Sequence, residues 1–265
     1  MHQAAELLAA LLSLTGLYPL AKTLRANRTT TLGPSLWWAV AAWLAWIGVA
    51  WVRLLWPGEK GDLITYGALC LTSCAGVSVL GARRPGAAAW NFVVAGLLAV
   101  LLLPILNGMG ELRLEPAQGA FLALTLLVAV LNYLPTRLGV SAVITAVGCC
   151  WEMIRLWGWI RPADLPGLGP LLLALTPWIA WLAWAKKRTA GEFDRLWLAY
   201  RDRFGFVWGQ RMREQFNRAA HHAGWPMVLR WSGLHPTAAE PMPDPTALVA
   251  MLRAVLKRFQ TEETT

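Results

Sequence analysis

The sequence predicts an all-α polytopic membrane helix bundle of seven transmembrane helices, with the N-terminus outside, the C-terminus inside and a helical cytoplasmic tail. Three observations lead there. Apolar runs recur through residues 7–185, each at or near the roughly 20 residues a spanning helix needs. Hydrophobic residues make up 57% of the chain and charged ones only 15%, against roughly 25% charged in soluble domains. The charges between the runs alternate in kind, and that alternation sets an orientation.

The first run, Leu7–Leu20, is preceded by Glu6 and by no lysine or arginine, which favours a retained helix over a cleaved signal peptide. Lys22, Arg25 and Arg28 follow as a basic loop. The second run, Leu36–Trp56, leads to Glu59, Lys60 and Asp62, and the third, Leu63–Ala82, to Arg83 and Arg84. Ala87–Leu106 leads to Glu111, Arg113 and Glu115, and Ala117–Leu134 to Arg137. Leu138–Trp157 precedes Arg161 and Asp164, and Leu168–Ala185 stops on Lys186, Lys187 and Arg188. Basic excess thus falls on every second connection, the side that the positive-inside rule assigns to the cytoplasm. The weakest spans are the third, with Thr72, Ser73, Cys74 and Gly76, and the sixth, with Glu152 and Arg155. Were either one re-entrant, every downstream loop would invert and the pattern would be lost.

Tryptophan, present 17 times, sits largely where interface anchors belong. Trp37, Trp38 and Trp56 bracket the second span, Trp157 and Trp159 close the sixth, and Trp184 ends the seventh. Trp43 and Trp46 lie deeper, and Trp178, Trp181 and Trp184 form a stripe suited to packing on lipid or a neighbouring helix. Small residues around Gly76, Gly81, Ala87–Ala89 and 142–148 allow close helix approach. Cys70, Cys74, Cys149 and Cys150 read as small apolar residues, since metal binding needs thiolates. No metal and no cofactor is assigned.

Ionisable side chains at membrane depth are costly and mark functional candidates. Arg53, Glu152 and Arg155 are the three such residues, all toward the outer third of their spans. Glu152 and Arg155 are spaced to pair on one helix face, and Glu152 can equally reach Arg53. Two readings stand: a polar cavity open to the outside, or an ion pair that locks helices together. Asn91, Asn107 and Asn132 are candidates for bonds between helices.

Beyond residue 185 the chain divides into an amphipathic helical segment (186–235), a proline-rich linker (236–245) and a C-terminal amphipathic helix (246–265). Phe193, Trp197, Tyr200, Phe204 and Trp208 recur at helical spacing and form a candidate docking face for a protein. Past Gly209 the register slips, so a kink near 205–209 is needed to keep Met212 and Phe216 buried. Residues 224–234 read as an extended connection, and Pro236, Pro241, Pro243 and Pro245 as a stiff spacer. Asp244 and Pro245 signal the start of the last helix, whose apolar stripe Leu248, Val249, Leu252, Val255, Leu256 and Phe259 either folds back on the tail or binds a partner.

Several chemistries lack their side chains. No histidine or aspartate lies within the runs, which disfavours intramembrane zinc, serine–histidine and paired-aspartate proteases and bis-histidine haem ligation. The last span has no lysine for a retinal Schiff base, and no phosphate-cradling loop motif is present. The tail carries a basic excess, but interleaved acids and the lack of a known motif argue against nucleic acid and for an anionic inner leaflet. The expected function is a non-catalytic scaffold or subunit of a bacterial inner membrane whose tail contacts proteins or lipid. The alternative is a transporter or lipid-handling permease with its polar site at Arg53, Glu152 and Arg155.

Overall fold

The structure, a computed structural model, describes residues 2–55, 59–108, 112, 114–158, 167–186, 191–237 and 243–260. Trp56, Trp159, the loop charges Glu111, Arg113, Arg161 and Asp164, the basic stop residues Lys187 and Arg188, and Pro241 lie outside the described residues. Among the described residues, seven helical segments are long and apolar enough to cross a membrane, from Ala4–Ala26 to Leu168–Ala185. They form the all-α bundle of a chain compatible with a multi-pass membrane protein.

The first span is broken into α1 (His2–Thr15) and α2 (Leu17–Ala26) at Gly16, against which Trp43 packs so closely that an added Cβ would lie 2.5 Å from its ring. Lys22 and Arg25, expected in a loop, therefore ride on the last turns of α2. Next come α3 (Gly33–Leu55), α4 (Glu59–Ser78) with a 3-10 turn at Val79–Gly81, α5 (Ala87–Leu101) and short α6 (Leu103–Asn107). The α5–α6 break falls at Pro104, which has no N–H to continue the ladder, and the Leu101 carbonyl there accepts from the Tyr66 hydroxyl at 2.8 Å. The bundle closes with α7 (Pro116–Tyr133), α8 (Gly139–Leu156) and α9 (Leu168–Ala185).

Helix α4 is the central one. Tyr66, Ala68, Leu69, Cys70 and Cys74 are all buried on it, and a Cβ on Gly76 would come within 2.1 Å of Ala129 on α7. Its thiols fill space as small apolar groups would. The deeper indoles also have structural partners: Trp43 Nε1 donates to Ser13 O at 3.0 Å and Trp46 Nε1 to Thr72 Oγ1 at 2.9 Å. Each joins two spans.

The tail is more than an appended helix. It contains α10 (Glu192–His222), a hairpin of β1 (Met227–Arg230) and β2 (Gly233–Pro236), α11 (Pro245–Leu256) and a 3-10 turn at Lys257–Phe259. Residues 224–234 were expected to be extended; the structure pairs them into a hairpin that also takes in Pro236, expected in the linker. Its strands pair antiparallel with Leu229 opposite Leu234, and the Asn217 side chain both donates to Leu229 O and accepts from Leu229 N. Burial of Met227 and Leu229, alternating with half-buried Val228 and exposed Arg230, is a strand period too short to stand out in a four-residue run.

Helix α10 is really two helices. Gly205 sits at φ 80°, ψ −167°, a conformation essentially confined to glycine. Were α10 straight, Phe193 and Phe216 would be roughly 35 Å apart; their rings lie 5.2 Å apart, so the two halves fold back on each other. The kink expected near 205–209 is therefore a full corner, with Met212 and Phe216 buried. Asn132, on the last turn of α7, replaces the hydrogen bonds lost there: its amide accepts from Val207 N at 3.0 Å and donates to Phe204 O at 3.5 Å. An added Cβ at Gly205 would lie 2.3 Å from Asn132 Nδ2. Gly205→Ala is expected to lose roughly 1–3 kcal/mol through backbone strain alone. Limited proteolysis of the tail should detect the resulting release from α7; unchanged protection would contradict this role.

Two of the segments expected as separate units, 186–235 and 246–265, share one core. Phe193, Trp197, Phe204, Leu229, Leu248, Leu252 and Phe259 pack together, and Leu32, Val79 and Ala82 from the bundle loops join them. A second core lies wholly within the bundle, around Leu69, Leu101, Leu122 and Met153.

Candidate functional site

Sequence reasoning singled out two sets of residues, and the structure places them at opposite ends of the bundle. At the end away from the tail, Arg53 on α3 makes a two-pronged ion pair with Glu152 on α8, Nη2 to Oε2 at 2.6 Å and Nη1 to Oε1 at 3.1 Å. Arg155 Nε reaches Glu152 Oε2 at 3.0 Å, one helical turn along. Both pairings that the spacing allowed are made at once.

Two further residues complete the cluster. Arg155 Nη1 pairs with Asp62 at 2.8 Å, and Arg53 Nη2 donates to Thr65 Oγ1 at 2.8 Å. Sequence reasoning put Asp62 in a loop, but it lies in the first turn of α4. The third helix is signalled only weakly in sequence, because an acidic residue at a span edge has no stated partner. The Glu152 carboxylate is fully buried, and α9 presses on it: a Cβ at Gly169 would be 2.3 Å from Oε1. Because Gly169 belongs to the first turn of α9, the positive end of that helix also faces the carboxylate. Three helices therefore meet on one buried acid, and α4 joins them through the two arginines. Both carboxylate oxygens are engaged by arginine, which leaves this acid poorly placed to bind a substrate or shuttle a proton.

At the other end lies the aromatic row of the tail. Phe193, Trp197, Tyr200, Phe204 and Trp208 are all buried, at 9%, 0%, 5%, 2% and 4% exposure. The Phe259 ring alone lies 5.1, 4.8 and 5.2 Å from those of Tyr200, Phe204 and Trp208. The face expected to dock a partner is thus covered by the chain itself, chiefly by the segment after α11. Burial pushes the Tyr200 phenol well above its ordinary pKa, with the charge of Arg83 acting the other way. The last helix folds back in cis, starting where expected, with Asp244 Oδ1 accepting from Thr246 N at 3.0 Å.

The tail is stitched to the basic loops. Thr31 donates to Ala82 O at 2.7 Å and its N–H to Phe259 O at 3.0 Å. Trp208 Nε1 donates to Val79 O at 3.1 Å, Trp231 Nε1 to Pro135 O at 2.8 Å, and Tyr133 OH to Arg203 O at 3.1 Å. Arg137 donates to Lys186 O and pairs with Asp202 at 3.9 Å. All the described basic connections therefore gather at the tail end of the bundle. No sequence signal marked Asn132, Tyr133 or Val79 as tail contacts, since the partners are 70 residues or more away.

Among the described residues, no group of three His, Cys, Asp or Glu side chains is placed to hold a metal ion. His221 and His222 stand exposed at the end of α10 with ring centroids 6.1 Å apart. No protein-family model, curated protein or solved structure matches this chain. Its function has to come from the geometry and chemistry of its own residues.

Proposed function

We propose that the chain is a non-catalytic scaffold or subunit of a bacterial inner membrane, with its N-terminus outside and its C-terminus inside. Its seven spans hold a folded tail module against the inner leaflet, where the module contacts lipid and protein partners. The observation that carries this reading is the shared core: Leu32, Val79 and Ala82 of the loops are packed into the tail, so the module has a fixed pose on the bundle. Gathering of Lys22, Arg83, Arg84, Arg137 and Lys186 at that same end supports its being the cytoplasmic one. Any protein partner then meets the outer surface of the module rather than the buried aromatic row.

Ser232, exposed in the hairpin turn, gives a test. A Ser232→Cys variant is expected to react with a membrane-impermeant maleimide in inverted vesicles and not in right-side-out ones. The opposite pattern would overturn the orientation. Extraction in mild detergent is expected to recover a stoichiometric partner that is lost when the tail is removed; a strictly solitary protein would overturn the scaffold reading.

A second reading, a lipid-handling permease, has one observation in its favour. A mostly apolar groove of about 200 Å3 lies between α4, α7, α8 and α9, with Thr72, Tyr133, Ser141 and Thr145 among its walls. It does not include Arg53, Glu152 or Arg155, so the groove and that polar cluster are separate.

A further inference from the structure

The loop between α4 and α5 carries Arg83 and Arg84, and the tail brings Arg258 against it. Arg84 N donates to Arg258 O at 3.1 Å, which fixes the two segments side by side. Together with Trp90 of α5 and Trp208 of α10, these arginines line a cavity of about 380 Å3. No acidic side chain is among its described lining residues.

Two of these arginines, Arg83 and Arg258, meet no acid among the described residues. Arg83 makes no ion pair among the described residues, and its buried Nε has no hydrogen-bond partner there. Arg258 is exposed and likewise has no ion pair among them. Arg83 and Arg211 both rest on the Trp208 indole, with guanidinium carbons 5.8 and 5.1 Å from its centroid. That indole is itself held by its bond to Val79 O at 3.1 Å. Cation–π contacts orient the arginines but leave their outward N–H groups and their mutual repulsion to be met by an anion. By contrast, Arg53 and Arg155 share Glu152, and Arg201 pairs with Asp202.

The level of the cavity decides what the anion is. It sits where the span Gly61–Gly81 ends and the span Ala87–Asn107 begins, which is the depth of lipid headgroups if those helices cross a bilayer. Arginine presents a planar fork of donors suited to phosphate oxygens, and the two tryptophans supply amphipathic walls of the kind found at that depth. We propose that this pocket binds the phosphate of an anionic phospholipid headgroup, with Arg83 and Arg258 as its principal ligands. Binding would tie the α4–α5 loop to the C-terminal turn and so lock the tail against the leaflet. The assignment of the inner leaflet as the source rests on the orientation proposed above.

Native mass spectrometry of the full-length protein, in micelles doped with equal amounts of phosphatidylglycerol and phosphatidylcholine, tests the site. One phosphatidylglycerol per chain is expected to survive activation that strips phosphatidylcholine. Its retention should fall about fivefold for each arginine removed in Arg83→Gln and Arg258→Gln, as expected for a basic residue at a lipid surface. Arg230→Gln removes the same charge from the exposed hairpin and is expected to leave retention unchanged.

Equal retention of the two lipids, or equal loss with Arg230→Gln, would overturn a defined site in favour of diffuse charge. Displacement of phosphatidylglycerol by millimolar inorganic phosphate would overturn the lipid assignment and point to a soluble phosphate. Thermal unfolding of each variant guards against a folding defect. Should Arg83→Gln unfold, Arg258→Gln, whose exposed side chain has no ion pair among the described residues, decides alone. Micelles have no sidedness, so a reversed orientation in the cell would leave this result intact. Conversely, failure to bind lipid would leave the Ser232→Cys labelling pattern unchanged.

Discussion

Replacing Glu152 with alanine is expected to destabilise the bundle by about 3–5 kcal/mol, the cost of stranding a buried charge whose partner is removed. Arg53 would keep only the Thr65 hydroxyl, while Arg155 would keep Asp62, which is 41% exposed on its side chain. The loss should therefore fall mainly on the α3–α8 contact. A double-mutant cycle is expected to give a larger coupling for Arg53–Glu152 than for Arg155–Asp62, because the second pair is better solvated. Replacing Arg53 and Glu152 together by apolar residues of similar volume should recover most of the lost stability, since no unpaired charge is then buried between them.

Unfolding of each variant in detergent, followed by circular dichroism, reads these differences. A Glu152→Ala protein as stable as the parent would show that the cluster does not hold the helices. If instead Glu152→Gln kept full stability but changed the movement of a solute across vesicles, the permease reading would move ahead. A closed ion lock and a transport site make opposite demands on the same carboxylate. The lock needs both oxygens permanently engaged, whereas a transport site needs them exchangeable.

Phe259→Ala is expected to cost about 3–5 kcal/mol in the tail, the usual range for removing a buried phenyl ring. Three aromatic contacts would be lost at once, to Tyr200, Phe204 and Trp208. The backbone at Phe259 also accepts from Thr31 N, so loosening this residue should free the last turn from the α2–α3 loop. Because the bundle has a core of its own, the spans should remain folded while the tail opens. Hydrogen exchange would show this as faster exchange in residues 192–208 with unchanged protection in α4. Loss of protection throughout would mean that the two cores unfold as one unit.

The spans were legible because their signal is local. A window of about 20 apolar residues has few alternatives to a membrane-spanning helix, whatever lies elsewhere in the chain. Capping of the last helix at Asp244 and the break in the tail helix were legible for the same reason: each depends on a few neighbouring residues. The register slip after Gly209 asked for a bend, and Gly205 supplied it. Legibility ended at the size of that bend, since nothing within ten residues of Gly205 says that the helix must reverse. Asn132, 73 positions earlier, supports the corner with its side-chain amide.

The aromatic row was read as an open docking face because periodicity shows that a stripe must be buried and not what buries it. Phe259 and α11 cover it from within the chain. The Glu152 cluster was expected from residue types and spacing and left open as a cavity or a lock. Its state depended on Asp62, Thr65 and Gly169, which come from two other helices and have no sequence pattern in common.

What the sequence alone determined was therefore the class of solvent each segment requires: which stretches are apolar enough for lipid, where they stop, and which intervals carry charge. Partitioning of a segment is close to a sum over its own residues, so it can be read one window at a time. Only the tertiary structure decided that both arginines meet Glu152, what lies over the aromatic row, and that Arg83, Arg84 and Arg258 come together around Trp208. Those outcomes depend on contacts between residues tens to hundreds of positions apart, whose geometry is set by the packing of the whole bundle rather than by any one segment.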